Sequence, residues 1–80
     1  MGKLPPVERD AVSGALTYET ASRWLMFMAE EVDMDGDATL ANSYRQRALS
    51  LMHARMPRGF LHDKNLEAEI SKWMKKRNQA

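Results

Sequence analysis

Glu30-Glu31-Val32-Asp33-Met34-Asp35-Gly36-Asp37-Ala38-Thr39-Leu40-Ala41-Asn42-Ser43-Tyr44-Arg45-Gln46-Arg47-Ala48-Leu49 leads from an apolar helical run through an acidic turn into a second amphipathic helix. The rest of the chain extends this hairpin. Asp37 is a good N-cap for a helix beginning at Ala38, and Gly36 supplies the permissive backbone angle that a tight turn needs. Downstream, Leu40, Tyr44, Ala48, Leu51 and Met52 share one helical face, with Arg45, Gln46 and Arg55 on the wet side. Pro57 stops that helix, and Arg58-Gly59 completes the turn.

Upstream, small or apolar residues recur at Ala11, Gly14, Tyr18, Ala21, Leu25, Met28 and Val32, in alternating steps of three and four. This spacing predicts one helical stripe over about residues 6–33, with proline allowed in its first turn and Ser13-Gly14 as a weak point that either breaks the helix or lets another helix approach closely. The second helix is expected over about 38–56. A third, over about 63–77, is capped by Asp63 or Asn65 and has a narrow stripe of Leu66, Ile70, Trp73 and Met74. The expected fold is therefore all-α, a helical hairpin plus a short C-terminal helix in one domain. Phe60 and Leu61 read as an apolar plug across the hairpin.

A core of eighty residues usually supplies only about 3–5 kcal/mol, unless a disulfide, a metal or a partner adds to it. Cysteine is absent, which excludes disulfides and thiolate metal sites. Around residues 24–28 the first helix is apolar on nearly every side, so one neighbouring helix cannot bury it. The second neighbour is either the C-terminal helix or another subunit. On the latter reading, Trp24, Leu25, Phe27, Met28, Trp73 and Met74 form a protein interface, and neighbouring subunits complete the fold. The internal methionines suit shared or imperfect packing surfaces.

The net charge of +1 conceals an asymmetry. Residues 1–37 carry three basic and eight acidic side chains, and residues 38–80 carry nine basic and three acidic. An acidic front and a basic back suit head-to-tail association of like subunits, or one basic face for an anionic partner. No apolar run approaches the length of a membrane span, and the first residues do not read as a secretory signal. Synthesis in a cytoplasm is expected.

Candidate chemistry is sparse. Asp33, Asp35 and Asp37 begin as an EF-hand loop does, but position six, normally glycine, is Ala38, and position twelve, normally a bidentate glutamate, is Tyr44. A capped, solvated acidic turn is the expected reading, with no metal. His53 and His62 have no carboxylate at ligand spacing, and Glu30 with Glu31 reads as an acidic patch, so neither an enzyme nor a cofactor is expected. Lys72, Lys75, Lys76 and Arg77 surround Trp73 in the last helix. They are possible phosphate contacts, with packing of Trp73 as the competing account.

The order of Leu4-Pro5-Pro6, Asp10-Ala11-Val12, Ala15-Leu16 and Ala21-Ser22-Arg23, followed by Asp35 through Leu49, resembles small helical virion proteins of tailed bacteriophages. It is most similar to the head-to-tail connector or adaptor group. In that group a proline–acidic–alanine entry leads into a helix, a Gly-Asp turn, and a helix with a Leu-Ala…Tyr-Arg…Ala-Leu pattern. The resemblance covers about residues 4–56. It implies a non-enzymatic structural protein, repeated in a ring at the portal vertex between portal and tail around the DNA channel. Its partners would be copies of itself and other virion proteins, with possible contact to packaged DNA and neither a membrane nor a small-molecule substrate. It would be made in the host cytoplasm and reside in the virion. The alternative is a small helical nucleic-acid-binding or regulatory protein that uses the basic C-terminal helix.

Overall fold

In the computed structural model, which describes residues 4–53 and 59–77, the fold is built from α1 (Tyr18–Met34), α2 (Ala38–Met52) and α3 (Lys64–Lys76). The protein is all-α, with only isolated β-bridges besides the helices among the described residues. The expected end of the second helix at residue 56 and its stop at Pro57 lie outside the described residues.

The expected helix from residue 6 is not formed. The Asp10 carboxylate accepts the Ser13 N–H at 2.9 Å and the Ser13 hydroxyl at 2.7 Å, a local turn that competes with helix. These bonds also hold the Asp10 carboxyl below its ordinary range. Gly14 then takes φ of +76°, where a right-handed helix cannot continue. The chain folds back on itself, with Asp10 N–H donating to Ala15 C=O at 2.8 Å and Thr17 N–H to Glu8 C=O at 3.2 Å. The same segment meets residues 59–61, where Tyr18 N–H donates to Gly59 C=O at 3.0 Å and Leu61 N–H to Leu16 C=O at 2.7 Å. The proline–acidic–alanine entry is thus a strap that reverses through the Asp10–Ser13 turn, and Leu61, bonded to Leu16, is buried against it.

Helix α1 starts where a side chain can cap it. Thr17 has an extended backbone, and its hydroxyl accepts the Thr20 N–H at 3.0 Å. Thr20 is buried, and its hydroxyl oxygen accepts from the Thr17 hydroxyl at 2.9 Å and from the Glu8 N–H at 3.0 Å, so strap and helix share one polar joint. At the other end Asp37 N–H donates to Val32 C=O and Gly36 N–H to Asp33 C=O, with Gly36 at φ of +93°. This paired closure uses the left-handed angle that glycine allows. Asp37 at once caps α2 through the Leu40 N–H at 3.0 Å. Asp63 caps α3 by accepting from Asn65 and Leu66 N–H at 3.0 and 3.1 Å.

One cluster forms the core. Helix α1 contributes Ala21, Trp24, Leu25, Met28, Ala29 and Val32; α2 contributes Ala41, Tyr44 and Ala48; α3 contributes Leu66, Ile70 and Met74; Leu16 and Leu61 close the end. The alanines on α1 and α2 let the hairpin helices approach closely, leaving the large α1 side chains to fill the space toward α3. Full burial of a side chain such as Leu25 or Ile70 is worth roughly 1.5–3 kcal/mol. The Trp24 indole N–H is buried without a hydrogen-bond partner, an arrangement that costs about 1–3 kcal/mol.

Candidate functional site

Of the six residues expected at a protein interface, Trp24, Leu25, Met28 and Met74 lie in the core of the single chain. The second neighbour that the apolar belt requires is α3 of the same molecule. Phe27 and Trp73 are only half-buried. Phe27 packs edge-on against Trp24, with ring centroids 5.4 Å apart and planes at 74°. The Arg77 guanidinium covers Phe27 and Trp73, at 5.7 and 6.0 Å from their ring centroids. These six residues are therefore mostly the inside of the protein.

The acidic turn is exposed, but each of its carboxylates that makes a bond is committed locally. Asp33 pairs with Arg45 at 3.3 Å, and Asp37 caps α2. Residues 38–44, which an EF-hand would need as loop, are the first two turns of a helix. Among the described residues no group of three His, Asp or Glu side chains is placed to hold a metal.

The sequence's separation of charge is bridged in space at three points. Glu31 pairs with Arg77, Asp33 with Arg45, and Arg9 with Glu67 at 4.0 Å. Each pair joins the acidic first half to the basic second half. Helix α3 runs so that its basic last turn lies against the acidic end of α1. Part of the layout expected to drive head-to-tail association is used within the molecule.

Among the described residues two surfaces stand out, apart from the isolated exposed side chains Val12 and Met34. The first is the side of the hairpin facing away from α3. There Met26, Leu49 and Met52 stay 37%, 44% and 63% exposed. Beside them lies an open groove of about 230 Å³ lined by Tyr18, Glu19, Ser22, Leu51 and Met52. Glu19 with its partner Arg23, and Glu30, edge this face on α1, and the Asp33–Arg45 pair joins its α1 and α2 edges.

The second is the outer face of α3. Lys64, Asn65, Ala68, Lys72, Lys75 and Lys76 are all exposed. Of the expected phosphate contacts, Lys72, Lys75 and Lys76 share this face. Arg77 is held by Glu31 and the two aromatic rings, while Lys76 Nζ lies 5.6 Å over Trp73. Lys64 belongs with the lysines and was not among the expected contacts, although its spacing of eight residues from Lys72 marks the same face. On the inner flank, Tyr44 has its hydroxyl pKa raised by burial first and then by its hydrogen bond to Glu69 and that carboxylate's charge.

Among the described residues no helix is long and apolar enough to cross a membrane. Comparison with protein-family models, with curated proteins and with solved structures gives no match.

Proposed function

We propose that this chain is a non-enzymatic structural subunit of a tailed-phage particle, in or beside the head-to-tail connector, assembling in multiple copies. The observation that carries the assembly reading is the uncovered hairpin face. Its methionines and leucine stay partly exposed although the core is already filled from within the chain. Another copy of the chain is the occupant. Carboxylate–guanidinium pairs, Glu19 with Arg23 and Asp33 with Arg45, rim the face, as the polar border of an apolar contact does. The virion assignment rests on the resemblance over residues 4–56 alone; of its features the Gly-Asp turn leads into a helix, and the proline–acidic–alanine entry does not.

Light scattering on the purified chain tests the assembly. The expected result is a defined oligomer that becomes monomeric, with helicity retained, when Met26, Leu49 and Met52 are all replaced by serine. A monomer at every concentration, or an oligomer indifferent to those three changes, overturns this interface. The virion assignment fails if the chain does not travel with phage particles through a density gradient.

A further inference from the structure

We infer that the outer face of α3 is a contact surface for the phosphate backbone of nucleic acid, with Lys64, Lys72, Lys75 and Lys76 as the neutralising groups and Arg77 outside the set. Leu66, Ile70 and Met74 turn one side of the helix into the core, which fixes the opposite side outward. On that outward side the exposed charged residues are lysines, with Glu69 at the flank beside Asn65, Ala68 and Lys72. Of the nearby acids, Asp63 caps the helix and Glu67 lies 4.0 Å from Arg9.

The dimensions suit a polyphosphate. Twelve residues of helix separate Lys64 from Lys76, about 18 Å at 1.5 Å per residue. That length matches about five phosphates along one strand of a duplex, at roughly 3.4 Å of axis per charge. Lysine acts as a point charge without the planar fork that reads base edges. Arg77 has such a fork, but it is already paired with Glu31 and lies over Phe27 and Trp73. Trp73, half-buried beneath Lys76 and Arg77, is not offered as a stacking platform. Backbone contact without sequence readout is what this face supports. A bilayer surface is disfavoured, because the one apolar side chain on the face is Ala68, and membrane-lying helices bury large apolar groups beside their basic residues.

The inference does not rest on the assembly reading, because a monomer presents the same face. The test is fluorescence anisotropy of a labelled random-sequence duplex with the full chain, titrated at several salt concentrations. Affinity should fall with salt at a log–log slope approaching about −3.6, the value for four neutralised phosphates. Lys64→Gln alone should reduce the steepness by about 0.9, and Arg77→Gln should leave it unchanged. Lys64→Gln, Lys72→Gln, Lys75→Gln and Lys76→Gln together should lower affinity at least tenfold at low salt with the circular dichroism spectrum retained. A slope near zero, an affinity unaffected by the four changes, or equal effects of Lys64→Gln and Arg77→Gln would overturn the assignment. So would tighter binding to phosphatidylserine-containing vesicles than to the duplex at the same salt.

Discussion

The Arg77 guanidinium pairs with the Glu31 carboxylate and lies over the Phe27 ring, fastening the end of α3 to the end of α1. Two residues 46 positions apart thus join the acidic and basic halves of the chain. The contact lies at the rim of the core, where Trp73 and Phe27 would otherwise be more open to water.

This contact should be measurable but modest. A partly exposed ion pair contributes roughly 0.2–1 kcal/mol, and a cation over an aromatic ring at such a site about 0.5–1 kcal/mol. Arg77→Gln should therefore lower stability in urea by about 1 kcal/mol, and Glu31→Gln by less, since the rings still hold the guanidinium. Equal losses from the two changes would mean that the aromatic contact contributes nothing.

Trp24 fills the centre of the core but leaves its indole N–H unpaired. Trp24→Ala should cost about 3–5 kcal/mol through lost burial and the cavity left behind. Trp24→Phe should cost much less, about 1 kcal/mol or below, because it removes the unpaired donor along with part of the volume. Similar losses for the two variants, measured by chemical denaturation, would contradict the burial of that donor.

Tyr44 predicts a dependence on alkaline pH. Its hydroxyl pKa is raised above 10.0 in the folded protein, by burial and by Glu69. The neutral phenol's contribution is then fully present below the unfolded value near 10 and is lost as pH rises through the folded value. Thermal melting of the wild-type chain should fall more steeply above pH 10 than that of Tyr44→Phe, with the two curves parallel between pH 7 and 9. Parallel curves throughout the alkaline range would mean that Tyr44 titrates as it does in the unfolded chain.

What could be read from the sequence was local. The Asp37 cap, the left-handed Gly36 and the Asp63 cap follow from side chains acting within three or four residues of themselves, and all are present. The strap over residues 4–17 was misread because Ala11, Gly14 and Tyr18 match a helical repeat, while the turn made by Asp10 and Ser13 competes with helix in the same window. Thr17 caps the true start of α1, and the joint between Thr20 and the Glu8 N–H forms only when the strap is folded back.

The sequence by itself determined the helical class, the turn between α1 and α2 and the caps, because helical periodicity and capping are short-range properties of the chain. Tertiary structure alone decided which apolar residues are interior and which charges are free. A helical stripe says that a face must be covered and cannot say by what; here Trp24, Leu25 and Met28 are covered from within the chain by one core shared with α2 and α3, leaving Met26, Leu49 and Met52 partly to the solvent. Charge segregation along a chain likewise carries no direction in space. Once α3 lies beside α1, Arg77 is consumed by Glu31 and the lysines from Lys64 to Lys76 remain as the open basic face.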